Sequence, residues 1–280
     1  MPSLGTLYVV ATPIGNLKDV TLRALEVLGR ADVIACEDTR QTRKLLERHG
    51  VEGRTRSYHK FNERRRAAEI LEVLASGKSV ALVSDAGTPA ISDPGAELVA
   101  RAAGAGFAVV TIPGPSAPAA LLAVAGFPAT RHTFLGFLPH RSGERRRLFQ
   151  SLLGREEALV FFEAPTRIGA ALADAAELLG SDRRAAVGRE LTKIHEEVLR
   201  GTLAELAGRV AAGDPPRGEF TVALEGRSEP VRTLPDGEPE EQVRFAMESL
   251  GLSKMDAIRY VARERGVRKR ELYRALLDEE

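Results

Sequence analysis

Four apolar runs in the first 128 residues, "GTLYVVAT", "ADVIAC", "SVALVS" and "FAVVTIP", and one weak strand, "TRSY", are each followed by a helix-like pattern. That alternation constrains the chain more than any other feature. A strand that returns through a helix must lie parallel to its predecessor, and a parallel sheet needs both faces covered. The helical stretches are "DVTLRALEVLGRA", "DTRQTRKLLERHG", "NERRRAAEILEVLASG", "DPGAELVARAAGAG" and "SAPAALLAVAG". Glycines such as Gly50 and Gly77 stand where helices stop, as a left-handed terminal residue requires.

After Pro128 the rhythm changes. "RAAVGREL" and "EEVLRGT" read as strands with no helix between them, which suggests a hairpin in a mixed sheet. Four segments are expected: an N-terminal α/β domain at 1–128, a second at 129–226, a polar, proline-bearing linker at 227–238, and a helical module at 239–280. Inside the last, "LSKMDAIRYVARERGVRKRELYRALL" shows two helical patterns joined at Gly266, like a helix-turn-helix.

Composition narrows the function classes. The net charge is +1, so any nucleic-acid surface must be local. Cys36 is the single cysteine, which excludes an internal disulfide, and it sits in a strand-like run as a small core residue. No metal-ligand spacing occurs, so no metal is expected. The longest apolar stretch, "APAALLAVAGF", is too short to span a bilayer. With no leader-like start, a cytoplasmic protein is expected.

The strand ends carry unusual punctuation: "ATPIGN", "SDAGTPAISDPG", "TIPGPSA" and "FFEAPTR". None is a G-x-x-x-x-G-K-[ST] phosphate loop, a G-x-G-x-x-G fingerprint or a G-x-S-x-G elbow. Ligands bind at the carboxyl ends of parallel strands. Glycine admits close backbone approach and proline fixes the path. A plainer role for the fourth strand's loop is a rigid connection with Asp93 capping the next helix. Converging loops of this kind offer backbone groups and few charges, which suits a flat, partly apolar ligand.

"ATPIGNLKDVTLRAL", "CEDTRQTRKLL", "SDAGTPAISDPG", "PGPSA", "GFLP", "FFEAPTR" and "RELTKIHEE" occur in that order. Over roughly residues 5–226 the chain resembles the bacterial small-subunit ribosomal RNA cytidine 2′-O-methyltransferases of the tetrapyrrole-methylase superfamily. The resemblance implies two α/β domains with a cofactor cleft between them, S-adenosylmethionine as cofactor, and a homodimer. It places Ile14, Thr88, Pro89, Ile91, Ser116, Ala117, Phe162 and Leu191 against the cofactor, with Val222 and Ala223 where backbone meets the adenine. The loop reads S-D-A-G-T-P where tetrapyrrole methylases usually carry a G-D-P core, so Thr88 stands in place of an aspartate.

Methylating a ribose hydroxyl calls for a base, or a cation beside the developing alkoxide. Glu37, Asp93, Glu163 and Lys193 are the catalytic candidates, with Asp38 a further possible base and Arg40 and Arg167 possible cations. Asp38 and Asp93 also suit helix capping, and Glu163 and Arg167 are spaced for a local ion pair. The RNA surface is expected on Arg40, on Arg64, Arg65 and Arg66 with Tyr58 and Phe61 close by, on Arg145 and Arg146, and on Lys269. Ribosomal RNA or the small ribosomal subunit is the implied partner, with no membrane. Two rivals share parts of this reading. One is a tetrapyrrole C-methyltransferase, which would lack use for the basic stretches. The other is a non-catalytic RNA-binding protein, which would not bind the cofactor.

Overall fold

The computed structural model describes residues 5–212, 217–227, 234–250 and 252–276. The chain divides into two compact units. The first is Met1–Val124 together with Gly188–Val198, and the second is Ala125–Val187 with Leu199–Glu280.

The first unit runs β1 (Thr6–Val10), a 3-10 turn (Leu17–Asp19), α1 (Leu22–Arg30), β2 (Val33–Cys36), α2 (Thr39–Arg48) and β3 (Thr55–Ser57). It continues with α3 (Glu63–Ala75), β4 (Val80–Val83), α4 (Ala96–Gly104), β5 (Ala108–Ile112) and α5 (Ala117–Val124). The sheet order is β3-β2-β4-β1-β5, and every adjacent pair is parallel. Successive side chains of a strand point to opposite faces, and both faces are packed. Leu7, Val33, Ala35, Val80 and Leu82 join Ile70, Leu74 and Leu98 on one side. Val10, Ile34, Cys36, Ala81 and Val83 join Leu28, Leu45 and Leu46 on the other. Cys36 is fully buried, and burial raises its thiol pKa.

Local chemistry sets the helix starts. The Thr21 hydroxyl accepts from the Ala24 N–H to open α1, and the Asp38 carboxylate accepts from the Arg40 N–H to open α2. Asn62 precedes α3 without capping it; its side-chain oxygen takes the His59 N–H instead. Asp93 does not cap α4 either. The residue before that helix is Gly95, at φ 137°, a conformation that favours glycine.

The second unit holds β6 (His132–Phe137), α6 (Ser142–Ser151), β7 (Ala158–Glu163), α7 (Ile168–Leu179), β8 (Arg184–Arg189) and β9 (Glu197–Thr202). It closes with α8 (Leu203–Ala212), β10 (Phe220–Leu224), α9 (Pro239–Leu250), α10 (Lys254–Glu264) and α11 (Lys269–Ala275). Its sheet order is β6-β7-β10-β8-β9. β6 and β7 are parallel and β7 and β10 antiparallel, so the sheet is mixed. Phe149, Phe161, Ile168, Leu172, Val187, Leu203 and Val222 form its core. The terminal helices close over Val243, Ala246, Ile258, Val261 and Leu272, and Leu153, just past α6, joins that cluster. Residues 228–233 of the expected linker lie outside the described residues. No helix among the described residues is long and apolar enough to cross a membrane.

Candidate functional site

All five strands of the first sheet run the same way, so their following loops share one edge. The loops after β1 and β4, which are neighbouring strands, are tied together. The Thr12 N–H donates to the Gly87 carbonyl at 2.8 Å, and the Gly87 N–H returns a bond to the Thr12 carbonyl at 3.1 Å. The buried Thr12 hydroxyl donates to the Ser84 carbonyl at 3.0 Å. A third loop joins them. A Cβ added at Gly87 would lie 3.5 Å from Ile14 Cγ2 and 3.8 Å from the Pro115 carbonyl oxygen. The loops carrying "TPIGN", "AGTPAISDPG" and "PGPSA" therefore meet around Gly87.

The β4 loop is held in conformations that side chains resist. Ala90 and Ser92 have φ of 67° and 65°, and Gly87 has 79°. At the two non-glycine positions this costs about 1–3 kcal/mol each and persists where surrounding structure over-determines it. Within this loop Pro89 is buried, Thr88 is half-buried, and Ile91 is 53% exposed, a large apolar side chain facing outward. Ile14 is buried; Ser116 and Ala117 are half-buried at the start of α5.

The residues between β8 and β9 belong with this set, although they come late in the chain. The Asn16 N–H donates to the Thr192 hydroxyl at 3.0 Å. Gly15 has no room for a side chain there: an added Cβ would lie 2.6 Å from Lys193 Cγ and 3.0 Å from the Leu191 carbonyl. Leu191 itself packs near Gly188 together with Leu121. The Lys193 ammonium donates to Glu190 at 2.9 Å. Glu190 and Thr192 are also left-handed, at φ 51° and 67°.

Acid groups gather along the same edge. Glu37 follows β2, and Asp85 and Asp93 lie in the loop after the adjacent β4. Burial, and then repulsion from Asp85 and Asp93, raises the Glu37 pKa, while His59 pulls it down. Lost solvation also raises Asp85 and Asp93, against hydrogen bonds from the Asp38 N–H and Ser84 respectively. Asp85 accepts the Asp38 N–H at 2.9 Å, which fixes it beside the β2 loop. The sequence reading missed Asp85, although it stands second after a clear strand. Asp38 is a different kind of carboxylate. Arg40 forks onto it and holds its pKa down to about 2, so it is a cap and a pair rather than a proton acceptor near neutrality. Among the described residues no three His, Cys, Asp or Glu side chains form a group able to hold a metal ion.

The remaining candidates lie in the second unit or on the surface. Glu163 is 1% exposed and ion-paired with Arg167 at 2.6 Å, and its Oε1 also accepts the Ala164 N–H. Arg167 in turn donates to the Leu138 carbonyl. Phe162 is half-buried, with its ring 5.0 Å from Phe134 and 5.4 Å from Phe137. Val222 and Ala223 are fully buried in β10, an interior strand paired with β7.

The basic residues divide sharply. Arg40, Arg64 and Arg65 are exposed, and Arg66 is half-buried and bonded to Glu69. Lys269 is half-exposed at the start of α11. Arg145 corrects the sequence reading: it is 3% exposed and paired with Asp174, which removes it from any RNA surface. Arg146 reaches the same Asp174 and Glu177, so its charge is already met.

The sequence profile of the tetrapyrrole (corrin/porphyrin) methylases matches residues 6–207. A protein of Mesorhizobium japonicum named ribosomal RNA small subunit methyltransferase I is 45% identical over 97% of this chain and 91% of its own. Proteins of the same name from Bacillus subtilis and Neisseria meningitidis serogroup B are 42% and 51% identical. The first covers 97% of this chain and 94% of its own, the second 79% and 76%. Among solved structures, a cobalt precorrin-4 methyltransferase matches with a TM-score of 0.59 at 17% identity, covering 79% of this chain and 94% of its own. The uroporphyrin-III C-methyltransferase of Thermus thermophilus matches with 0.57 at 20%, with the same coverage. At such identity the two structures speak for the fold alone.

Proposed function

This chain belongs to the tetrapyrrole methylase family, and from that premise we propose that it is a small-subunit ribosomal RNA methyltransferase, one that uses S-adenosylmethionine to methylate a cytidine ribose 2′-hydroxyl. Identity weighs against a tetrapyrrole substrate. The ribosomal RNA methyltransferases stand at 42–51%, the tetrapyrrole enzymes at 17–20%. The observation that carries the reading is the meeting of three strand-end loops around Gly87, closed by the Leu191–Lys193 turn on Gly15.

The residues fit the cofactor. Backbone comes close at Gly15 and Gly87, Ile91 offers a bare apolar side chain, and Ile14, Thr88, Pro89, Ser116, Ala117 and Leu191 complete the lining. When bound, S-adenosylmethionine supplies an electrophilic methyl group. This chain's own task is to hold the ribose hydroxyl in line and take its proton. Glu37 and Asp93, each raised above the ordinary carboxyl range first by burial and each repelled by Asp85, are the candidates for that transfer. The proton passes from the hydroxyl oxygen to a carboxylate oxygen, and the Lys193 ammonium is the cation for the alkoxide that develops. Glu163 acts through its pair with Arg167 rather than on the substrate. Arg40, Arg64, Arg65 and Lys269 would hold RNA phosphates, and action in the cytoplasm as a homodimer completes the proposal.

Incubation with methyl-labelled S-adenosylmethionine and either small ribosomal subunits or uroporphyrinogen III tests the reading. Label in the ribosomal RNA is expected. Label in the tetrapyrrole, with none in RNA, would overturn it.

A further inference from the structure

Phe61 lies in the turn between β3 and α3 with 95% of its surface exposed. The other aromatic of this basic stretch behaves oppositely. Tyr58 is 1% exposed, and its hydroxyl donates to Glu63 at 2.9 Å. A bare phenyl ring contributes nothing to the core, so its use lies outside the fold.

The turn that carries it is well braced. The His59 N–H donates to Asn62 Oδ1 at 2.9 Å, and the Asn62 amide meets His59 Nε2 at 3.1 Å. Asn62 is committed to this turn and leaves the α3 start uncapped by its side chain. The His59 ring stands edge-on to Phe61, with centroids 6.1 Å apart and planes at 66°. The phenyl face stays open.

Cations flank Phe61 in the sequence. Lys60 and Arg64 are exposed, and neither has an ion-pair partner among the described residues. Arg65 is 70% exposed, with Glu69 at 3.7 Å. A protein partner would favour a contiguous apolar patch. One open ring beside Lys60 and Arg64, which have no ion pair among the described residues, instead matches an unpaired nucleotide, whose base stacks while flanking phosphates take the charges. The position is apt. The Tyr58 N–H bonds the Cys36 carbonyl, so this turn leaves the sheet beside Glu37, and His59 acts electrostatically on Glu37.

We propose that Phe61 is a stacking platform for an unpaired base of the RNA substrate, with Lys60 and Arg64 holding the phosphates on either side. This rests on the ribosomal RNA reading above and names how that substrate is gripped.

Phe61→Ala, Phe61→Leu and Phe61→Trp separate stacking from apolar contact, and exposure of the site means all three should fold. For methyl transfer to small-subunit RNA, the alanine and leucine variants should raise KM about tenfold, within the range of one lost base stack. The tryptophan variant should stay near wild type, and affinity for S-adenosylhomocysteine should not change in any of them. Wild-type KM in the alanine variant, or full rescue by leucine, would overturn the platform. If the wild type labels no RNA, the methyltransferase reading fails instead. The platform is then judged by fluorescence of single-stranded RNA carrying 2-aminopurine. Quenching by wild type and by Phe61→Trp, but not by Phe61→Ala, supports it; equal behaviour of wild type and Phe61→Ala overturns it.

Discussion

The Asn16 N–H donates to the hydroxyl of Thr192, 176 residues further along the chain, at 3.0 Å. That bond joins the loop after β1 to the residues between β8 and β9. Thr192 accepts it from a left-handed backbone, at φ 67°. Thr192→Val keeps the shape and removes the acceptor; water meets the exposed N–H, and the net loss of one hydrogen bond is about 1 kcal/mol. Affinity for S-adenosylhomocysteine, measured by calorimetry, should fall about fivefold, and Thr192→Ser should keep most of it. Equal loss in both variants would show that bulk matters there and the hydrogen bond does not.

Glu37 carries the pH prediction. Its folded-state pKa is raised, first by burial and then by Asp85 and Asp93. A raised carboxyl contributes stability that is fully present below its ordinary range, about pH 4, and is lost as pH rises through the folded value. Glu37→Gln removes that dependence. The variant should therefore melt above wild type at pH 8, with the advantage shrinking toward pH 4. If Glu37 takes the hydroxyl proton, kcat should drop about 10²-fold in the same variant. Thermal melts across the pH series and single-turnover methylation read the two effects separately. A variant that is both less stable at pH 8 and fully active would remove Glu37 from the chemistry.

Arg145 and Arg64 should fail in different ways. Arg145 is enclosed and hydrogen-bonded to Asp174, which Arg146 still pairs when Arg145 is removed, so the lost charge-assisted bonds cost about 1.5–3 kcal/mol. Arg145→Ala should lower the denaturation midpoint strongly while the folded fraction binds RNA as wild type does. Arg64→Glu with Arg65→Glu should leave the midpoint unchanged. It should flatten the salt dependence of RNA binding, by about 0.7 for each single-strand phosphate that is no longer neutralised. Denaturant melts and binding at several salt concentrations distinguish the two outcomes.

The strands of the first unit were legible because a parallel sheet covered on both faces needs unbroken apolar runs, and "SVALVS" supplies one that is buried at every residue of β4. The Asp38 cap was legible because capping is local chemistry. Arg145 was not. "GERRR" shows three arginines alike, and only the approach of α7 with Asp174 decides which one is enclosed. Asp85 was visible in "VSDAG", but its neighbours Glu37 and Asp38 come from another strand's end, and adjacency of β2 and β4 is a tertiary fact. The grouping of Gly188–Val198 with the first unit is non-local in the same sense. The sequence places a boundary between 128 and 129, where the strand-helix rhythm changes. The folded units divide at Val124, and no rhythm marks the return of a turn to an earlier loop.

The proposed activity places a methyl group on a ribose hydroxyl of small-subunit ribosomal RNA. A 2′-O-methyl group blocks attack on the adjoining phosphodiester, so alkali leaves that one linkage intact. RNA labelled by the wild-type protein is hydrolysed in alkali and its products separated. The predicted result is label in an alkali-resistant dinucleotide whose methylated member is cytidine. Label released entirely as mononucleotides would place the methyl group on a base and exclude ribose methylation.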